Sequence, residues 1–120
     1  MKKTIFLLEN NRAVRSAATR ALRQSGFKVH SFSEIEPFTS YRETAGHQPD
    51  LYILDFDLVD LPFLHTHHFF ATTHYLPLVL TTASLEKKTE LLTLLACQPV
   101  LIKPFDLQEL LTAVSSALGG

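Results

Sequence analysis

Five short apolar runs alternate with five longer segments of helical pattern, and this alternation restricts the fold more than any other feature of the chain. The runs are Thr4–Leu8, Phe27–Phe32, Leu51–Leu54, Leu78–Thr81 and Val100–Ile102. Four of them are apolar almost throughout, as expected of parallel strands that have helices on both faces and no side left for water. The run FKVHSF alternates instead, which predicts the more exposed strand of the sheet. Strands separated by helices connect by right-handed crossovers, so the predicted class is α/β: a single doubly wound parallel sheet of five strands with helices on both faces. In such sheets the functional crevice lies beyond the carboxyl ends of the strands.

The helical segments carry their own start and stop signals. In Arg12–Ser25, Val14, Ala17, Ala18, Ala21 and Leu22 share one face, and Arg12, Arg15, Arg20 and Arg23 gather opposite on a face expected to be solvated. Asn10 or Asn11 can cap its start, and Gly26 sits where a left-handed stop is usual. A second helix is expected over Glu34–Ala45 with Pro37 in its first turn. Residues 58–76 are the least defined: Asp60-Leu61-Pro62 suggests a turn and a helix start, followed by FLHTHHFFATTHY as a short third helix. Ser84 is the expected cap of a fourth helix through Cys97. Asp106 and Glu109 stand at capping-box spacing before a last helix with Leu107, Leu110, Leu111, Val114 and Leu118 as its core stripe.

A chain of 120 residues is long enough to bury one core, so residues 1–120 are expected to form one domain. Net charge near -1 gives no electrostatic reason to expect nucleic acid or an anionic membrane as partner. Cys97 is the only cysteine, which excludes an intrachain disulfide and argues against a thiolate metal cluster. The apolar runs are strand-sized, far short of a spanning helix, and MKK leads into too few apolar residues for a secretory signal. The expected setting is reduced and cytoplasmic.

The chemistry-bearing residues fall on one edge of the predicted sheet. Glu9 follows the first strand, Asp55 closes YILD, Thr82 closes LVLTT and Lys103 closes VLIK. An acid, a hydroxyl and an ammonium at adjacent strand ends suit phosphoryl chemistry on a carboxylate. Thr81 competes with Thr82 for the hydroxyl position. Of the six histidines, His65, His67, His68 and His74 invite a metal reading, since His65 and His68 would share a helix face. Zinc needs converging ligands in a closed geometry, and no Cys or acid reinforces this cluster, so aromatic contacts and solvent exposure are expected there. In the fourth helix, Leu91, Leu92, Leu94 and Leu95 wrap more than one face. Core packing accounts for two or three of them and leaves the rest for a partner.

Four segments in this order resemble response-regulator receiver domains of two-component signalling: IFLLENNRAVR, PDLYILDFDL, LPLVLTTAS and VLIKPFDLQEL. The resemblance runs essentially end to end. It implies a flavodoxin-like sheet in the order 2-1-3-4-5, with Asp55 accepting a phosphoryl group from the phosphohistidine of a histidine kinase or phosphotransfer protein. It further implies that Thr82 and Lys103 bind the phosphoryl oxygens, that Mg2+ assists, and that the Lys103–Pro104 peptide is cis. Partner or homodimer contacts through helix 4, strand 5 and helix 5 are implied as well. So is an output domain, in which case the chain would be the amino-terminal part of a longer regulator with Gly119-Gly120 opening a linker.

The sequence departs from that family where the metal should sit. The acidic pair reads Glu9-Asn10, so the second position offers a neutral oxygen in place of a charge, and a hard dication that sheds water reluctantly should bind more weakly. Asp57 could supply a relocated third carboxylate beside Glu9 and Asp55, or be a solvated loop acid. The loop Leu58–Phe63 lacks the glycine usual after the acceptor, and Val100 stands at the switch position where receivers often carry an aromatic ring. The leading expectation is therefore a non-enzymatic receiver module that retains phosphoacceptor capacity. The alternative is a degenerate receiver acting as a phosphorylation-independent interaction or dimerisation module. A third reading comes from Asp55-Phe56-Asp57-Leu58-Val59, which fits the DxDx[T/V] motif of haloacid-dehalogenase-like phosphatases. Against it, the motif falls on a middle strand, and the later acids Asp106 and Glu109 are already explained by helix capping.

Overall fold

A computed structural model describes residues 2–69, 77–94 and 98–119. Its five strands are β1 (Thr4–Leu8), β2 (Lys28–Phe32), β3 (Leu51–Asp55), β4 (Leu78–Thr82) and β5 (Val100–Ile102). The helices between and after them are α1 (Arg12–Gln24), α2 (Ile35–Thr44), α3 (Leu61–Thr66), α4 (Leu85–Leu94) and α5 (Leu107–Ala117). All pairings are parallel and the strand order is β2-β1-β3-β4-β5, the doubly wound sheet expected. β2 is an edge strand with one fully buried residue, Val29, which is why FKVHSF alternates where the inner strands do not.

Period-two alternation divides each inner strand between two cores. Ile5, Leu7, Leu51, Ile53, Val79 and Leu101 meet Ala18 and Leu22 of α1 and Leu110, Ala113 and Val114 of α5. Phe6, Leu8, Tyr52, Leu54, Leu78, Leu80 and Val100 meet Phe38, Leu64, Phe69 and Leu91 on the side of α2, α3 and α4. The first core is aliphatic and the second largely aromatic, with Phe6, Phe38, Tyr52 and Phe69 in edge-on contacts at 4.9–6.0 Å. Val100 is a buried member of this second core.

The helix signals act largely as read. Asn11, rather than Asn10, caps α1 by accepting from the Val14 amide at 3.0 Å, and Gly26 takes the left-handed conformation at φ 96° after it. Pro37 lies in the first turn of α2, Ser84 accepts from the Lys87 amide at the start of α4, and Asp106 and Glu109 form the reciprocal capping box of α5. The Lys103–Pro104 peptide is cis.

Other expectations are corrected. Ala17 is exposed, because it lines an open groove of about 240 Å³ with Pro104, Phe105 and Leu107 where α1 and α5 diverge. Leu107 is 46% exposed on the lip of that groove instead of joining the α5 stripe. The arginine face of α1 is not wholly solvated: Arg15 donates to the Glu9 carbonyl at 2.9 Å and Arg23 to the Val29 carbonyl at 3.0 Å. The third helix ends at Thr66. His68, at φ 60°, reverses the chain and returns Phe69 to the core, so His65 and His68 do not share a helix face. In α4 only Leu91 is buried, whereas Leu92 and Leu94 are 45% and 55% exposed. His74, Leu95 and Cys97 lie outside the described residues. Among the described residues no helix is long and apolar enough to cross a membrane.

Candidate functional site

Parallel strands deliver their last residues to one edge, and four of the residues singled out arrive there together. Asp55 ends β3, Thr82 ends β4, Glu9 follows β1 and Lys103 follows β5. Asp55 is 0% and Glu9 2% exposed, so two carboxylates enter the protein interior with little water to screen them. Their shared counter-ion is Lys103, whose Nζ stands 3.0 Å from Asp55 Oδ2, 3.4 Å from Glu9 Oε1 and 3.6 Å from Asp57 Oδ2. Burial pulls the Lys103 ammonium down, but contact with Asp55 and the charges of Asp55, Glu9 and Asp57 outweigh it and hold the group above the ordinary lysine range.

The two oxygens of Asp55 are used differently. Oδ1 accepts the Asp57 amide at 2.9 Å. Oδ2 faces Lys103 across the 3.0 Å ion pair, but the angle leaves this buried atom without an aligned hydrogen bond among the described residues. Oδ2 is therefore the Asp55 oxygen without a backbone donor, held by the charge of Lys103.

Glu9 accepts the Asn11 amide at 2.9 Å through Oε2 and meets Lys103 through Oε1. Burial raises its carboxyl above the usual range. The Asn11 amide opposes that rise, the Asp55 charge adds to it, and Lys103 offsets only part. Asn10 is exposed, and its carbonyl receives a long contact from Arg15 at 3.4 Å. Among the described residues the Glu9 carboxylate has Lys103 as its ion-pair partner, and Arg15 meets only the backbone carbonyls on this side.

Asp57 lies on the exposed loop after β3 and is held by donors from β4 and the loop that follows it. Its Oδ1 accepts the Thr82 hydroxyl at 2.8 Å and its Oδ2 the Ala83 amide at 2.8 Å, with Lys87 Nζ 3.5 Å from Oδ1. Burial would raise this carboxyl, but the Ala83 and Thr82 hydrogen bonds, then Lys103 and Lys87, carry it below the usual range. Asp57 is thus an exposed loop acid whose two oxygens are both engaged by protein donors, and it shares Lys103 with Glu9 and Asp55. Among the described residues no three His, Cys, Asp or Glu side chains form a group able to hold a metal ion. A cation at this edge would draw on the buried carboxylates of Glu9 and Asp55 and on the neutral Asn10.

The Thr82 hydroxyl donates to Asp57 and accepts the Ser84 amide at 3.1 Å. Thr81 pairs across to Asp55 in register, but its buried hydroxyl has no partner among the described residues. The residue that sequence reasoning missed is Ala83, because its contribution is a backbone N–H that a side-chain reading does not register.

No family model matches the chain, and no curated protein matches it. Solved structures do. A response regulator receiver protein from Burkholderia phymatum matches over 98% of this chain and 96% of its own, with a TM-score of 0.78 at 22% identity. A chemotaxis response regulator of Vibrio cholerae matches over 98% of this chain and 99% of its own, with a TM-score of 0.76 at 17% identity. A response regulator of Thermotoga maritima matches at 0.77 and 19% identity, and there the chain spans 54% of the longer protein. At these identities the likeness is one of fold: the chain has the five-stranded, flavodoxin-like architecture of the receiver domains it resembles.

Proposed function

We propose that this protein is a receiver-type signalling module whose phosphoacceptor is Asp55. The observation that carries the reading is Asp55 Oδ2, a buried carboxylate oxygen without an aligned hydrogen bond, 3.0 Å from the Lys103 ammonium at the edge where Thr82 and Ala83 also present donors. In the proposed reaction Oδ2 attacks the phosphorus of a phosphohistidine on a histidine kinase or phosphotransfer protein. The O–P bond forms as the P–N bond breaks, and the electron pair leaves with the imidazole nitrogen, which takes a proton from solvent. Lys103 then follows the charge from the carboxylate to the phosphoryl oxygens. When bound, Mg2+ would supply positive charge to offset that of the phosphoryl oxygens, and Glu9, Asp55 and Asn10 would be the residues to hold it. Its affinity should be low because one of the three is neutral.

The test is incubation with acetyl phosphate and Mg2+, read by intact mass. Wild type should gain one acid-labile phosphoryl group and Asp55→Asn none. No gain in wild type, or an equal gain in both, would sink the reading.

A second reading, a phosphorylation-independent interaction module, is favoured by the neutral Asn10, by Val100 packed in the core, and by Leu85, Leu92 and Leu94, which are 45–67% exposed on α4. A partner or a second copy meeting α4, β5 and α5 would cover these leucines, and sedimentation of wild type against Leu92→Glu would detect self-association. The phosphatase reading draws no support from the pocket, since Asp57 is committed to Thr82 and Ala83, and Asp106 and Glu109 to the capping box.

A further inference from the structure

The donors around Asp57 form a recognisable set. A hydroxyl at 2.8 Å, a backbone amide at 2.8 Å and ammonium groups at 3.5 and 3.6 Å converge on one carboxylate. Hydroxyl, amide and ammonium are the donors that stabilise phosphoryl oxygens, and two of them, Thr82 and Lys103, are those assigned that task under the proposed function. The Asp57 amide also donates to Asp55 Oδ1, so one residue joins the acceptor to the donors beyond it. An anion is already in place where a phosphoryl group on Asp55 would need to be held.

We propose that the Asp57 carboxylate is an internal occupant of the oxyanion cradle made by Thr82, Ala83 and Lys103, and that a phosphoryl group or free oxyanion must displace it to bind. The inference rests on reading that cradle as the phosphoryl-binding part of the pocket. A tether of two residues from Asp55 holds the competitor at high effective concentration, so the affinity of the cradle for any outside oxyanion falls by the fraction of molecules in which Asp57 is released. Displacement has a second consequence. Lys87, in the first turn of α4, loses its partner in the pocket and the loop from Thr82 to Ser84 loses its anchor to β3. Asp57 thereby links occupancy of the cradle to the start of α4.

The competing account is a simple loop staple, in which Asp57 ties two loops together and the cradle binds nothing else. Amide NMR of the full chain separates the two, with inorganic phosphate as probe in wild type, Asp57→Ala and Asp57→Asn. Glu9→Gln serves as the control that removes one negative charge near Lys103 without emptying the cradle. Phosphate should bind Asp57→Ala at least about tenfold more tightly than wild type, with Ala83 and Lys87 moving most and Asp57→Asn intermediate. Should Asp57→Ala fail to fold, Asp57→Asn against Glu9→Gln decides alone. No gain in the Asp57 variants, or an equal gain in Glu9→Gln, would overturn the proposal. Acetyl phosphate run in parallel keeps the two readings apart. Phosphate binding without Asp55 phosphorylation upholds the occupant and removes the phosphoacceptor, and phosphorylation without any gain in phosphate binding does the reverse.

Discussion

Glu9 and Asp57 are both carboxylates within 3.6 Å of the same ammonium, yet their protons are displaced in opposite directions. Glu9 lies on the β1 side, nearly fully buried, with one backbone donor and a share of Lys103 in competition with Asp55. Asp57 lies at the mouth on the β4 side, where a hydroxyl and an amide each take one of its oxygens and Lys87 adds a second cation. Desolvation decides the first case and donors decide the second. Counting three acids around one lysine would have treated them alike. What separates a carboxylate that seeks a cation from one that is already satisfied is the number of fixed donors per unit of lost hydration.

Removing the shared ammonium should produce the largest effect, because it strikes both sides at once. Lys103→Met leaves Asp55 and Glu9 buried without a counter-ion and should cost about 3 kcal/mol near neutral pH. The folded pKa of Lys103 is raised, so its contribution is complete below the unfolded value of 10.5 and is lost as pH rises through the folded value. The gap between wild type and variant in urea unfolding should therefore be full at neutral pH and close in strong alkali. A gap that stays constant through that range would mean Lys103 acts by packing alone.

Adding charge to the β1 side should sharpen the contrast. Asn10→Asp adds a carboxylate next to Glu9 and should tighten Mg2+ binding by about tenfold, close to 1.4 kcal/mol, in a titration followed by NMR or calorimetry. An unchanged affinity would place the cation elsewhere.

The β4 side should respond to pH in the opposite sense from the β1 side. Asp57→Asn weakens two hydrogen bonds to an ionised acceptor and should cost about 1 kcal/mol at neutral pH. Because the folded pKa of Asp57 is depressed, that stabilisation is present above the unfolded value of 3.8 and disappears as pH falls through the folded value, so the two proteins should converge in acid. The smallest change is expected from Glu9→Gln, under about 1 kcal/mol. The Glu9 carboxyl is raised, so its stability is complete below 4.5 and is lost as pH rises through the folded value. The glutamine variant should match wild type in acid and become the more stable of the two towards neutral pH. If the Asp57 and Glu9 variants follow the same pH profile, the contrast between the two sides is wrong.

Much of this protein was determined by sequence alone, where the physics is local. Apolar runs broken by helical periods dictate a parallel sheet, because strands without a polar face have to be covered twice, and Lys28–Phe32 alternates because Val29 is its one fully buried residue. Asn11, Ser84, Asp106 and Glu109 cap their helices through bonds spanning three residues, a distance at which sequence spacing fixes geometry. Asp55, Thr82 and Lys103 were legible as neighbours because parallel strands place their carboxyl ends on one edge.

Tertiary structure decided what depends on orientation and on backbone groups contributed by another part of the chain. Ala17 and Leu107 carry apolar side chains at core spacing, yet the divergence of α1 from α5 leaves them open, and α3 stops at Thr66 before the left-handed His68. The opposite shifts of Glu9 and Asp57 were equally out of reach, since they follow from burial and from donors elsewhere in the fold. Asp57 meets Thr82 and Ala83 from 25 and 26 positions away, and one of the two contributes only an amide that every sequence contains. Residue types say which charges can meet at the sheet edge. Only the packed loops determine which of them is free to react.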